Sequence, residues 1–581
     1  MRPVYFAGCF GWLHITDAKM SAKTAVVLCA GIKHDGMRGY RSYRLLADAL
    51  AAAGYPTLRF DYPGSCNSSD ALNTENGEIE MLAIWQASIH AASDWIRQQS
   101  GAQQIVLGGL RFGATLAAMV AAQREDVVGL MLLAPILRGR SFVSQLSVEA
   151  NFHDSSVSTN GPLVLHELYL SRKTVELVRN VDLRKVSVPA GCRVGVFSQA
   201  DSPVMTACVD GWRRGGADVT CADFEGLEPM LRPVFMNHET PADVKRVAMW
   251  LQAMVPPGQS WAFQDDLPLS ANLRLDACIE TPIQFGPMKQ LFGILCRPKE
   301  RPEADMVVII GNSSGDHTCG YGRFAVHLAR LLAAEGIASL RMDFAGVGDS
   351  LADGDRPTHV FECDRRADFA AAIDALAERG YRQFALQGLC SGAYHAFRAA
   401  LTDPRVGSML LVNLPLFEWK DGVRVEHLSH VVESPTRFLQ KMGRMDLWLQ
   451  MARGQLDIGS RLATQCVWLA IKTKGIMSSL ARRFGITLPL NFGQKSAYQL
   501  SRRARILYLF SEGDPGIAAL NREFGPDGIP AGATVRIVSG LDHSLSGYAM
   551  QVTASKHIIE FFKHEVSSFT LQETGLLSQE N

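Results

Sequence analysis

Residues 46–64, LADALAAAGYPTLRFDYPG, align without a gap on residues 328–346, LARLLAAEGIASLRMDFAG. The offset is 282 residues, Asp61 to Asp343, which is the length of a domain rather than of a solenoid repeat. Each copy reads as an amphipathic helix, a Gly turn, a short apolar strand and a tight loop. The segments that follow also correspond. IVLGGLRFGATLAAMVAA (105–122) answers to FALQGLCSGAYHAFRAAL (384–401), an apolar strand, a Gly-x-x-x-Gly turn and an Ala-rich helix. GLMLLAP (129–135) answers to SMLLVNLP (408–415), and VGVFSQADSP (194–203) to ILYLFSEGDPG (506–516). VTCADFEGLEPML (219–231) answers to VRIVSGLDHSLS (535–546). Continuous apolar strands alternating with helices specify a parallel sheet covered on both faces. The expected fold class is therefore α/β, with two tandem doubly wound domains. Residues 1–258 form the first and 259–581 the second, joined near VPPGQSWAFQDDLP (255–268).

A chain of 581 residues exceeds one hydrophobic core, which agrees with two domains. The formal net charge is zero, which excludes a chain-wide basic surface for nucleic acid. Twelve cysteines are scattered without a C-x-x-C pair or a His/Cys run, so the sequence suggests neither a metal site nor a redox dithiol. So many thiols fit a reducing compartment, and the cytoplasm is the expected location. MRPVYFAGCFGWLHITDAK lacks the layout of a signal peptide, and no apolar run approaches the length of a transmembrane helix.

The succession of strand, oxyanion loop, LR-x-D strand, elbow, acid loop and histidine loop in both halves resembles the α/β-hydrolase fold. FGWLH (10–14) and LRFDYPG (58–64) resemble, more narrowly, serine-aminopeptidase-like hydrolases associated with exosortase and exopolysaccharide gene clusters. The resemblance implies a nucleophile, an Asp or Glu, and a His in that chain order.

The second half supplies such a set. Gly388-Leu389-Cys390-Ser391-Gly392 has the spacing of a nucleophile elbow with cysteine at its centre. Asp514, in SEGDPG, follows a strand, and His543 follows the last strand, 29 residues later. Cys390 is read as nucleophile, His543 as base and Asp514 as the acid that orients it. The Ser391 amide and the loop at Asn312 and Ser313 would donate to the oxyanion. G-x-C-x-G with Asp and His is similar to dienelactone hydrolases and to polyhydroxyalkanoate synthases, though this chain lacks the long extra segments of the synthases. Two other readings stay open at this point: Ser391 as the nucleophile of a conventional esterase, and an ordinary strand-to-helix turn in a non-catalytic scaffold or binding protein. Ser391 lies about 100° around the helix from Cys390, off the axis of the pocket. Asp542 is a second carboxylate beside His543, and His395 reads as a packed residue of the elbow helix.

The first half lacks the set. Arg111 stands at the centre of its elbow and cannot be a nucleophile at neutral pH. Asp201 aligns with Asp514, but Glu228 and Pro229 stand where the histidine loop would be, and His238 comes late. This half is read as a pseudoenzyme domain, with Arg111 as a candidate anion-binding residue. His317, after the oxyanion loop of the second half, is a candidate substrate contact.

From elbow to acid the chain takes 90 residues in the first half (111 to 201) and 124 in the second (390 to 514). The added length, about 416–504, shows helical periodicity and is expected to form a cap. Residues 418–505 carry 15 Lys/Arg against 6 Asp/Glu. Such a segment would draw an anionic substrate, coenzyme A, an acyl carrier protein or an anionic membrane surface. The expected function is hydrolysis of esters or thioesters, or acyl transfer, on a small acyl substrate. Coenzyme A enters only as a thioester substrate and no cofactor is implied; the basic segment tilts the expectation toward acyl donors carried on coenzyme A or a carrier protein.

Overall fold

The computed structural model describes all residues except 16–22, 72–78, 154–161, 166–167, 199–201, 233–239, 259–271, 301–304, 314–315, 352–363, 420–489, 526–527, 531 and 574–581. Most of the expected interdomain linker and of the expected cap therefore lies outside the described residues. No described helix is long and apolar enough to cross a membrane.

The first repeat contributes β1 (Arg2–Phe6), β2 (Cys9–His14), β3 (Thr24–Cys29), β4 (Thr57–Phe60), β5 (Gln104–Leu110) and β6 (Val127–Leu133). A small hairpin, β7 (Leu163–Leu165) and β8 (Leu168–Leu170), precedes β9 (Arg193–Phe197) and β10 (Asp218–Ala222). The sheet order is β1-β2-β4-β3-β5-β6-β9-β10. Only β2 runs against its neighbours; the rest of the sheet is parallel. One face packs under the helices Met81–Ser100 and Phe112–Ala121, the other under His34–Ala52 and Pro241–Met254, each over its own apolar cluster. Val26, Val27 and Leu28 of β3 are fully buried, as a strand covered on both faces must be. An eight-stranded sheet with this order and one antiparallel second strand is the α/β-hydrolase fold.

The second repeat follows the same plan. Its strands are β11 (Leu273–Arg274), β12 (Cys278–Phe285), β13 (Leu291–Pro298), β14 (Met306–Ile310), β15 (Ala338–Asp343), β16 (Gln383–Leu389), β17 (Val406–Val412), β18 (Arg505–Ser511) and β19 (Ala533–Val538). Strands β12, β13 and β15 pair antiparallel as β1, β2 and β4 do. Strands β14, β16, β17, β18 and β19 run parallel in that order.

The chain packs as two compact units. The first is Met1–Ala304 with Ser314–Asp353 and Leu545–Lys563; the second is Asp305–Ser313 with Gly354–Ser544 and His564–Asn581. The repeats are units of sequence, and we retain 258/259 as the proposed junction between them. The compact units are units of packing. The first gathers the whole first repeat with β11, β12, β13, β15 and the loop after β15.

Inside that first unit, equivalent positions of the two repeats meet. Phe10 and Phe292, 282 residues apart, stack with ring centroids 6.0 Å apart, and Trp12 meets Phe292 edge-on at 4.7 Å. Arg59 of one LR-x-D strand ion-pairs with Asp349, and Tyr40 Oη donates to the same carboxylate at 2.6 Å. Arg341 of the other LR-x-D strand donates to Asn67 Oδ1 at 2.8 Å and to Glu280 at 2.9 Å. Asn67 and Asp349 are themselves 282 residues apart, so the exchange is reciprocal. A guanidinium and a carboxylate taken out of water persist only when each remains paired.

Arg59→Leu should therefore cost about 3–5 kcal/mol in urea unfolding, because it leaves the buried Asp349 without its cation. The Arg59→Leu/Asp349→Leu double variant should cost clearly less than the sum of the two single changes. Strict additivity would mean that the pair does not act as a unit.

Candidate active site

The elbow of the second repeat is built by its glycines. Cys390 lies between β16 and the helix Ser391–Thr402 with φ 53° and ψ −116°, a conformation side-chain-bearing residues rarely adopt. A Cβ on Gly388 would stand 2.2 Å from the Gly392 carbonyl carbon, and one on Gly392 would stand 2.6 Å from the Asn312 carbonyl oxygen. Only glycine allows strand, helix start and the loop after β14 to approach this closely. The Cys390 amide donates to the Val412 carbonyl at 2.9 Å, which ties the turn to β17. The cysteine is partly exposed, whereas Ser391 is fully buried. Asn312 is buried and Ser313 half-buried in the loop that touches the elbow.

Asp514 closes β18 and caps the helix Pro515–Phe524. Its Oδ1 accepts from the Gly516 amide at 2.7 Å, and its Oδ2 faces His543 Nδ1 at 2.7 Å. Those two bonds use both oxygens and fix the carboxylate against the ring. Burial works against the charged imidazole of His543, but hydrogen bonds from Asp514 and Cys390 outweigh it and raise it to about 10. His543 thus links the acid to the sulfur. Asp542 does not take the orienting place; its Oδ1 accepts from the Ser544 amide at 3.1 Å. His395 is buried in the elbow helix, as its apolar neighbours imply.

Two residues that the sequence did not single out hold the histidine loop. Asn413, at φ 49° directly after β17, donates through Nδ2 to the His543 carbonyl at 2.9 Å and the Asp542 carbonyl at 3.3 Å. Its Oδ1 accepts from the Ser511 amide at 2.8 Å, and Ser511 Oγ donates to the Asp542 carbonyl at 2.8 Å. A polar Asn-Leu-Pro breaking off an otherwise apolar strand was the available signal.

The first repeat keeps the elbow with an arginine at its centre. Arg111 has φ 55° and ψ −120°, nearly the torsions of Cys390. Gly113 is pressed as Gly392 is: its Cβ would lie 2.2 Å from the Ala30 carbonyl oxygen. The guanidinium already has partners. Its Nε lies 3.4 Å from Asp35 Oδ2, and its Nη2 lies 3.5 Å from Gln145 Oε1. Burial raises the Asp35 carboxyl while Arg111 draws it back down. An anion drawn to Arg111 would compete with this carboxylate. Glu228 pairs with Arg232 at 2.9 Å, and Ala134 stands where the second repeat has Asn413. Asp201 and His238 lie outside the described residues.

His317 does not face solvent as an ordinary loop histidine would. It is buried in the first compact unit, stacked on Tyr40 at 4.3 Å, with Nδ1 3.4 Å from Cys319 Sγ. Cys66 joins them: the three ligand-type atoms lie within 4.8 Å of one another. The sequence showed no His/Cys cluster because Cys66 and Cys319 are 253 residues apart; folding makes one.

Residues 20–183 match the family model described as serine aminopeptidase, S33, a match confined to the first repeat. A search of curated proteins finds no match to the sequence. Among solved structures, the chain is similar to Est1E from Butyrivibrio proteoclasticus with ferulic acid bound, at 14% identity over 44% of this chain and 99% of that one, with a TM-score of 0.30. It is similar to the esterase PF2001 of Pyrococcus furiosus at 14% identity over 44% and 90% of the two chains, with a TM-score of 0.31. It is also similar to a dienelactone hydrolase from Anabaena variabilis at 14% identity over 51% and 98%, with a TM-score of 0.30.

Proposed function

We propose that the second repeat is an acyl-transfer enzyme acting on esters or thioesters, with Cys390, His543 and Asp514 as its catalytic triad. The observation that carries this reading is the continuous line from the Asp514 carboxylate through His543 to the sulfur at a strained elbow. A packed structural cysteine needs neither a base oriented by an acid nor a turn that presents it to a pocket.

In the proposed reaction the Cys390 thiol gives its proton to His543, and the sulfur attacks the acyl carbonyl. The oxyanion that forms is met by the Ser391 amide and by amides of the loop at Asn312 and Ser313. Collapse breaks the bond to the leaving alcohol or thiol, which takes the proton back from His543, and the acyl group remains on sulfur. An acceptor then enters and gives its proton to His543. It attacks the thioester, and the cysteine regains its proton as it departs. Water as acceptor makes the enzyme a hydrolase; an alcohol or amine makes it an acyltransferase. The basic excess of residues 418–505 supports acyl donors carried on coenzyme A or on an acidic carrier protein, and it is the same feature that would bring the protein to an anionic membrane surface. The full burial of Ser391 weighs against that residue as the nucleophile.

Brief exposure to short-chain acyl thioesters and nitrophenyl esters, followed by intact-protein mass measurement, should reveal an acyl adduct. The adduct should persist in Ser391→Ala and vanish in Cys390→Ala. Loss in Ser391→Ala with retention in Cys390→Ala would transfer the role to the serine. No adduct and no turnover in any variant would favour a scaffold. Asp514→Asn should lower turnover about 10²–10⁴-fold, because the base loses its orienting charge.

The same pair has a consequence for stability. A histidine raised in the folded state stabilises the fold fully below its unfolded value of about 6.5 and loses that contribution as pH climbs through the folded value. The destabilisation caused by Asp514→Asn should therefore be largest near pH 6.5 and shrink as pH approaches about 10. Asparagine can keep the cap on the Gly516 amide, so the pH-dependent part reports the charge pair. Urea unfolding across that range checks it; a difference that does not change with pH would mean that the pair is uncharged in the fold.

A further inference from the structure

We propose that Cys66, His317 and Cys319 form a binding site for a soft divalent metal ion, of which zinc is the natural occupant. The site lies within the first compact unit and is separate from the triad. Cys66 Sγ and Cys319 Sγ are 3.9 Å apart, and Cys319 Sγ and His317 Nδ1 are 3.4 Å apart. Around tetrahedral zinc, with Zn–S about 2.3 Å and Zn–N about 2.0–2.1 Å, two sulfurs stand about 3.8 Å apart and a sulfur and a nitrogen about 3.6 Å apart. Both observed separations match the edges of that tetrahedron. The sulfur–sulfur separation is far beyond a disulfide bond of about 2.05 Å.

The scaffold around the three side chains is fixed without any ion. Cys66 sits at φ 41° in a loop whose neighbours close on themselves, Ser65 N–H to the Tyr62 carbonyl and Ser68 N–H to the Ser65 carbonyl. Arg323 clamps that loop from outside, donating to the Cys66 carbonyl at 3.0 Å and to the Ser68 carbonyl at 2.8 Å. On the other side, Thr318, between the two proposed ligands, accepts from Asn67 Nδ2 at 2.8 Å. The two loops that carry the ligands are thus held against each other by bonds that do not involve the sulfurs or the ring.

Chemistry and access agree with this geometry. Two thiolates and a neutral imidazole around a divalent ion make an uncharged group, which a buried site tolerates; two thiol protons leave to solvent as the two S–metal bonds form. Cys66 and Cys319 also line an open pocket in the first compact unit, together with Ala30, Gly31 and Asp61, which gives an ion and its fourth ligand a way in. Three protein ligands leave one position for water or for a carboxylate such as Asp61.

The full-length chain, purified with a thiol reductant and without chelator, should carry stoichiometric zinc by elemental mass spectrometry. Replacement by cobalt should give the near-ultraviolet thiolate-to-cobalt band and the visible bands of a tetrahedral site. Cys66→Ser and Cys319→Ser should each weaken zinc binding by more than ~100-fold, since even partners that only support a ligand cost up to that much. Cys390→Ala should leave metal content and spectrum unchanged. The cobalt spectrum of the unaltered chain reports thiolate ligation directly, so the test stands even where a serine variant folds poorly. A reduced, folded chain that takes up neither zinc nor cobalt overturns the proposal, as does a thiolate–cobalt band that survives in the Cys66→Ser/Cys319→Ser double variant.

Discussion

Two arginines at equivalent places in the repeats, Arg59 and Arg341, each reach away from their own LR-x-D loop to a partner supplied by the other copy. The reason lies in how each loop uses its own carboxylate. Asp61 Oδ2 accepts from the Asn67 amide, and Asp343 Oδ2 accepts from the Asp349 amide, so each aspartate closes its own turn. The Arg59 guanidinium, buried, then takes its anion from Asp349 of the other repeat, whereas Arg341 is neutralised by Glu280 of its own repeat and gains a neutral acceptor, Asn67, from the other. The exchange of hydrogen bonds is reciprocal, and the exchange of charge runs from Asp349 to Arg59. It makes the arginine strand of each repeat incomplete without the other, as in a two-fold dimer whose subunits have been joined in one chain. The aromatic contact of Phe10 with its own equivalent, Phe292, belongs to the same arrangement.

This dependence gives the first repeat a structural role whatever side chain stands at its elbow. Its elbow keeps the strained torsions and the crowded glycines of the second, although an arginine occupies the centre. The backbone demands of the fold are separable from the chemistry they usually serve. Strand, turn and helix start must approach closely whatever side chain projects from the turn. Arg111 then meets Asp35 and Gln145 inside the first repeat, and Ala134 supplies none of the bonds by which Asn413 holds the histidine loop in the second.

Much of this was legible in the sequence because it is local. The repeat announces itself in nineteen aligned residues, and the strands in their unbroken apolar runs. The elbow shows in the spacing of Gly388 and Gly392, and the acid and histidine in their positions just past strand ends. What escaped was set by long-range geometry. Asn413 and Ser511 act through a turn at positive φ and bonds to main-chain carbonyls, for which no sequence spacing is diagnostic. Arg341 and Asn67 are 274 residues apart, and Cys66 and Cys319 are 253 apart. No local pattern relates them; only the reciprocal packing does. His317 looked like a loop residue because it is one, and its burial comes from Tyr40 of the other repeat.

The two sulfur centres show how the same element serves different chemistry under different constraints. At Cys390 the neighbouring imidazole is gripped on its far nitrogen by Asp514, which is itself anchored to the Gly516 amide. That arrangement holds the ring by its Nδ1, Cys390 acts on the same ring, and the elbow leaves the cysteine partly exposed. At Cys319 the imidazole turns its Nδ1 to sulfur, while its buried Nε2 has no hydrogen-bond partner among the described residues. Cys319 is buried beside a second thiol, Cys66. Two sulfurs and a nitrogen gathered within 4.8 Å of one another are suited to holding an ion. The carboxylate hydrogen-bonded to the far nitrogen of His543 separates the centre proposed to turn over from the centre proposed to hold an ion.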